Sequence, residues 1–207
     1  RVLSENAGRK WVVNLDEIGP AHTGVKPDKD DPAHDEVRRK HLWGNLMAGG
    51  AGVEWYFGYK FAHNDLNCED FRSRANMWQQ TRLALEFFHK HLPFHEMAPA
   101  DSLTSTNEDY VFAKGGAIYA IYLPHGGTTK IRLPDVEYHV RWYNPREGGE
   151  LQFGSRKPIK GPGQVEIGFP PSDLKNDWVA LLTYAELGKE EPPHVALPQP
   201  NVSSSPQ

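Results

Sequence analysis

The sequence predicts two unlike halves, an α/β half over residues 1–95 and an all-β half, an antiparallel β-sandwich, over residues 96–187. Three observations carry this. The first half runs strand, loop, helix, strand, loop, helix, the rhythm of a parallel sheet with covering helices. After Phe94 the helical spacing ends, and short apolar strands alternate with glycine turns. From Gly188 the chain turns Pro- and Ser-rich, so residues 188–207 are expected to be a disordered tail.

The first strand is Trp11-Val12-Val13-Asn14-Leu15-Asp16-Glu17-Ile18-Gly19-Pro20, a short apolar run that ends in two adjacent carboxylates, a glycine and a proline. A helix would not stop so soon, and an exposed loop would not need the Val-Val-x-Leu run. A polar loop follows, with Asp28, Asp30 and Asp31 between Pro27 and Pro32. Asp31-Pro32 reads as an N-cap and first helical position, opening a helix over 33–47 that pairs Leu42 with Leu46 and Trp43 with Met47 and stops at Gly49-Gly50. Its run Asp35, Glu36, Arg38, Arg39 and Lys40 reads as a solvated face.

Residues 51–59, rich in aromatic side chains, read as a second strand. After the polar connection His63-Asn64-Asp65-Leu66-Asn67, a helix over 69–91 places Phe71, Trp78 and Leu85 at heptad spacing, with Met77, Ala84 and Phe88 widening the stripe, and Leu92-Pro93 ends it. Two parallel strands cannot fill a sheet that needs cover on both faces, so this half reads as the tail of a larger barrel or doubly wound domain. The opening Arg1-Val2-Leu3-Ser4, with no methionine and no leader, is expected to follow a removed signal or to lie inside a longer protein.

A boundary is expected around residues 93–102, between Pro93 and the first β-rich segments. The strands then read as 110–113, 117–123, 128–133, 138–143, 165–169 and 178–184, in a sandwich of about six to eight strands. Ile131 and Leu133 alternate with polar neighbours, as do Tyr138, Val140 and Trp142. Asn201-Val202-Ser203 fits a glycosylation sequon, which carries little weight in such a tail.

The 207 residues carry a net charge of −4, which gives no case for nucleic acid or an anionic membrane as partner. No apolar run reaches the length that spans a bilayer. The single cysteine, Cys68, allows no intrachain disulfide and reads as a packed small side chain.

Glu17 is the leading chemical candidate, because a carboxylate at the C-terminal end of a parallel barrel strand lies where catalytic groups gather; the alternative is a solvated acidic turn. Period two turns either Asp16 or Glu17 to the centre without deciding which. Glu54, within the second strand, either lines a polar mouth or forms an ion pair with Arg38 or Arg72. Trp55, Tyr56 and Tyr59 form either a wall that stacks on sugar rings or ordinary packing. The Asp28, Asp30 and Asp31 loop lacks the spacing of an EF-hand, and His89, His91 and His95 suit a helix C-terminus without a zinc pattern, so no metal is expected. No Gly-rich phosphate loop or nucleophile motif occurs, and no cofactor is expected.

Taken together, the first strand, the stretch 42–59 and Glu69-Asp70-Phe71-Arg72-Ser73-Arg74 resemble the C-terminal part of a family of bacterial glycoside-hydrolase-like (β/α)8 barrels. Val140-Arg141-Trp142-Tyr143-Asn144-Pro145-Arg146 resembles the β-sandwich appended to those barrels and labelled collagen-binding. The resemblance implies that the two strands are strands seven and eight of a TIM-type barrel and that Glu17, followed by Ile18-Gly19, is the nucleophile of a retaining glycosidase. Asp16, Glu54, Trp55 and Tyr56 then lie near the substrate. The acid/base residue belongs to strand four, which this chain does not contain, so the chain alone is expected to lack a complete active site. The implied partner is a polysaccharide or glycan substrate, and the implied location secreted or periplasmic. The other reading is a non-catalytic sandwich that binds collagen or polysaccharide.

Overall fold

In a computed structural model, residues 11–106, 108–186 and 197 are described. The opening Arg1-Val2-Leu3-Ser4, the sequon at Asn201 and all of the expected tail from Gly188 except Leu197 lie outside them. The described chain mixes helix with mostly antiparallel sheet. No helix in it is long and apolar enough to cross a membrane.

The first half is built on a short parallel pair, β1 (Asn14–Leu15) and β2 (Gly52–Val53), with Asn14 opposite Gly52 and Leu15 opposite Val53. Helix α1 lies between them in sequence, π-helical over Val37–Gly44 and α-helical over Asn45–Met47. It begins later than the expected residue 33, because the Asp31 carboxylate caps the preceding turn, accepting from the His34 amide at 3.2 Å. Gly49, at φ +82°, supplies the left-handed stop. After β2 comes a 3-10 turn, Phe71–Arg74, capped by Asp70 and leading into helix α2 (Ala75–His91).

Both strands are much shorter than the runs that announced them. Residues 55–58 leave the pair to serve loops: the Val25 amide donates to the Tyr56 carbonyl, and the Phe57 amide to the Asp65 carboxylate. Val12 is 81% exposed and Val13 39%, so this end of β1 is not buried on both faces.

Strands β3 (Ala98–Pro99), β4 (Tyr110–Lys114), β5 (Ile118–Leu123), β7 (Glu137–Tyr143), β8 (Pro158–Lys160) and β10 (Trp178–Tyr184) make one antiparallel sheet in the order β3-β4-β5-β10-β7-β8. Strands β6 (Lys130–Leu133) and β9 (Gly163–Glu166) pair separately. The short strands β3 and β8 lacked an apolar run to announce them, and β3 falls within the stretch read as a linker.

The large sheet is covered on both faces. Ala120, Tyr122, Val179 and Leu181 meet Trp43, Met47, Phe87 and Phe88 of the two helices. Tyr119, Ile121, Ala180 and Leu182 turn the other way, into a core with Ile131, Leu133 and Ile167. This is why β5 reads Ile-Tyr-Ala-Ile-Tyr-Leu without a polar break and is buried throughout, while β6, covered on one face, alternates. Trp43 anchors the helical layer, stacked on Tyr122 with ring centroids 5.4 Å apart.

Two side-chain assignments change. The stripe of α2 that enters the core is Met77, Gln80, Leu83, Ala84, Phe87 and Phe88, whereas Phe71 is 61% exposed, Trp78 38% and Leu85 46%. Both stripes satisfy heptad spacing, and the sheet selects the one whose flank meets Tyr143, which lies 4.8 Å from Phe87 and donates its hydroxyl to the Leu83 carbonyl. Arg38, read on a solvated face, is buried: its guanidinium takes Asp177 through two hydrogen bonds of 2.9 and 2.8 Å, and Tyr122 donates to the same carboxylate. Asp177 stands at the start of β10, so this pair ties the first half to the sheet. Cys68, expected to be packed, is exposed.

Candidate functional site: carboxylates at the end of the parallel pair

The register of β1 and β2 continues one step beyond the strands, where the Glu54 amide donates to the Leu15 carbonyl at 2.8 Å. Asp16 and Glu54 therefore leave the pair at neighbouring positions, and their carboxyl groups are hydrogen-bonded. That bond and the Asp16 charge raise the Glu54 pKa, and lost hydration, Glu17 and Asp65 push the same way. The ion pair considered for Glu54 does not form, because Arg38 is committed to Asp177 and Asp35, and Arg72 to Asp70.

Glu17 follows in a left-handed conformation, φ +46°, which costs a non-glycine residue on the order of 1 kcal/mol or more. The turn is fixed from both sides. Ile18 is buried with Val25, Phe57 and Met77, and the Thr23 and Gly24 amides both donate to the Pro20 carbonyl. Glu17 itself remains exposed.

The loops after the two strands are sewn together around this cluster. The Tyr56 hydroxyl donates to the Ala21 carbonyl at 2.5 Å, and its pKa is raised by burial first and then by the charges of Asp65 and Glu17. Gly24 passes so close that a Cβ there would lie 2.2 Å from the Tyr56 carbonyl oxygen, a contact only glycine allows. Beneath both loops Arg74 is fully buried and donates to the carbonyls of Val25, Ala62 and His63 at 3.2, 3.1 and 2.9 Å, with its guanidinium 4.5 Å from the Phe57 ring centre. Burial lowers its pKa, and among the described residues no carboxylate lies within ion-pair reach to compensate.

Asp16, Glu17, Glu54 and Tyr56 thus form one electrostatic cluster, joined by Asp65. Trp55 is half-buried and packs between the helical core and the small cluster around Ile18, while Tyr59 is 59% exposed. Asp65 and Arg74 were not singled out from sequence. Asp65 lay in a polar connection whose fold back onto Phe57 has no local signature, and Arg74 entered only as the last residue of the stretch Glu69-Asp70-Phe71-Arg72-Ser73-Arg74 that carries the resemblance.

The other candidates have structural partners. Asp28 binds His34 Nε2 at 2.7 Å and accepts the Asn76 amide at 3.0 Å. His91 packs against Phe87, and burial lowers its pKa. Among the described residues no group of three or more His, Cys, Asp or Glu side chains is placed to hold a metal ion.

Comparison with known proteins adds three findings. Residues 98–183 match the family described as "Putative collagen-binding domain of a collagenase". No curated protein matches the chain. Among solved structures, a glycoside hydrolase family 5 protein from Bacteroides vulgatus ATCC 8482 shares the fold at 14% identity and a TM-score of 0.57, over 79% of this chain and 39% of that one. A second, described as "Glycoside hydrolase", matches at 14% identity and a TM-score of 0.57 over 73% of this chain and 37% of that one. The chain therefore spans well under half the length of the solved proteins it resembles, and the family model matches only residues in its C-terminal half.

Proposed function

We propose that this chain is the C-terminal portion of a secreted retaining glycoside hydrolase, with β1 and β2 as strands seven and eight of a TIM-type barrel and residues 96–187 as the appended sandwich. The observation that carries the reading is the carboxylate cluster at the C-terminal ends of two parallel strands, where barrel enzymes gather their catalytic groups. Likeness in fold to glycoside hydrolases supports it.

In this reading Glu17 attacks the anomeric carbon of a glycan as the carboxylate nucleophile. The glycosidic C–O bond breaks, an acid elsewhere in the complete barrel protonates the leaving oxygen, and water then hydrolyses the glycosyl ester. The strained turn at Glu17, anchored by Ile18, presets the nucleophile's direction. Glu54 and Asp16 bind sugar hydroxyls, and Trp55, Tyr56 and Tyr59 offer ring faces to the sugar. Arg74 acts through the loops it holds. In the complete enzyme Glu17→Gln should lower turnover of a cleaved glycan by at least about 10³-fold, since it removes the covalent intermediate. Wild-type turnover in that variant would exclude the assignment.

The sandwich supports a second reading, a non-catalytic module that binds collagen or polysaccharide, because its match covers residues 98–183. Retention of the whole chain on collagen or on a polysaccharide panel tests it, and no retention on any of them would end it.

A further inference from the structure

We propose that the outer face of β7 is a binding site for an acidic polysaccharide, a chain of uronate residues. This deepens the module reading above and rests on it.

Along β7 the side chains alternate. Tyr138, Val140 and Trp142 enter the core, while Glu137, His139 and Arg141 point outward. The helical layer covers Leu181 on the neighbouring strand but leaves His139 exposed and Arg141 only half-covered. Trp142 exchanges two 2.8 Å hydrogen bonds with Gln152, which sets Phe153 beside Arg141. Phe153 is 50% exposed, with the Arg141 guanidinium 3.7 Å and the Lys157 ammonium 4.7 Å from its ring centre. Lys157 is held in place through its carbonyl, which accepts from the Val140 amide at 2.7 Å.

Neither Arg141 nor Lys157 has a carboxylate within ion-pair reach among the described residues, although the chain is acidic overall. Two other arginines of the sandwich behave differently, Arg146 pairing with Asp173 and Arg156 with Glu166. Arg141 makes one long hydrogen bond, 3.3 Å, to the Val140 carbonyl. Its fork is therefore steadied against a ring and open to an incoming acid.

That arrangement selects a ligand chemistry. A guanidinium held against an aromatic ring has lost part of its rotational freedom already, and its free edge takes a carboxylate through two parallel hydrogen bonds. Lys157 adds a point charge a short step away, and the exposed part of Phe153 accepts the C–H face of a sugar ring. The face is a strip along a strand, suited to an extended polymer. A collagen triple helix carries charges of both signs and imino-acid rings, whereas the patch around Phe153 presents two cations, Arg141 and Lys157, with the outward acid of β7, Glu137, at the other end of the strand, and so matches a polymer of the opposite sign.

The test is affinity electrophoresis of the whole chain through gels containing alginate, its neutral propylene glycol ester, or no polymer, beside a pull-down on triple-helical collagen. Alginate should retard the chain and the ester should not, and the retardation should fall as salt is raised. Arg141→Ala should weaken alginate binding about tenfold or more, Lys157→Ala by less, and Arg141→Lys should recover only part. Should Arg141→Ala prove unfolded by circular dichroism, Lys157→Ala, at an exposed position, carries the same test. Equal retardation by alginate and ester, or variants that bind alginate like the wild type, would overturn the site. Binding to collagen or to the neutral ester that ignores both substitutions would remove this face and leave the module reading standing. No retention on any of the polymers would remove both.

Discussion

The strands β5 and β10 and the strands β1 and β2 are announced by the same kind of apolar run, yet they end in opposite circumstances. The former lie between two layers and are buried along almost their whole length. The latter keep two paired residues each, with Val12 and Trp11 largely in solvent. An apolar run reports that burial is needed but not what supplies it. In the sheet it is supplied by two helices on one face and β6–β9 on the other. Beside β1, among the described residues, it is a small cluster around Ile18 and Phe57. Stability and candidate chemistry are thus separated along the chain, the carboxylates standing on its thinly supported part.

The sharpest way to break that contrast is at the joint between the two regions. Asp177→Ala leaves Arg38 buried, with only the half-exposed Asp35 as a counter-charge, and takes the acceptor from Tyr122. Truncating one partner of a buried pair costs about 3–5 kcal/mol, so urea unfolding should show a loss of that size. A loss below about 1 kcal/mol would mean that the joint is not what holds the helices on the sheet.

Next in size is the contact that organises the helical layer. Trp43 touches Tyr122, Phe87, Phe88 and Tyr143 and is fully buried, so Trp43→Ala should cost about 3–5 kcal/mol. Removing the ring should also change the near-ultraviolet circular dichroism of the stacked tyrosine.

The carboxylate cluster predicts a titration in place of a stability change. Glu54 is fully exposed, and its pKa is raised chiefly by its hydrogen bond to Asp16. A carboxyl whose folded pKa lies above its unfolded one contributes to stability below the ordinary glutamate range, and that contribution is lost as pH rises through the raised value. Carbon-detected NMR should therefore find the Glu54 midpoint above that of an ordinary glutamate. Asp16→Asn, which removes the charge, should bring it back down. An unmoved midpoint in Asp16→Asn would mean that Glu54 owes its shift to some other neighbour.

Local pattern carried a good part of this molecule. The alternation of Ile131 with Leu133 and of Tyr138, Val140 and Trp142 reports which face each strand buries, because period two is a property of the strand itself. The strand-end position of Asp16 and Glu17 was readable for the same reason. The partner of Glu54 was not, since register between strands separated by a helix is decided by packing and leaves no mark on either segment. Arg38 misled more thoroughly. It sits in a run of charges that resembles any solvated helix face, and its partner Asp177 lies 139 residues away.

Helix α2 holds the smallest and most discriminating test, because the stripe read from sequence, Phe71, Trp78 and Leu85, lies in solvent while the residues that widen it, Met77, Ala84 and Phe88, are buried. Phe87 is 1% exposed and packs on Trp43 and Tyr143, whereas Leu85, two positions earlier, is 46% exposed. Phe87→Ala should cost about 3–5 kcal/mol, while Leu85→Ser should stay within about 0.5 kcal/mol. Leu85 also lines an apolar groove of about 330 Å³ with Leu46, Phe88, Phe94 and Phe112. Its replacement should therefore make the chain less prone to self-association in sedimentation velocity without moving the unfolding midpoint. Were Leu85→Ser to cost as much as Phe87→Ala, the helix would be turned the other way, and the layer that distinguishes β5 from β1 would be assembled from different residues.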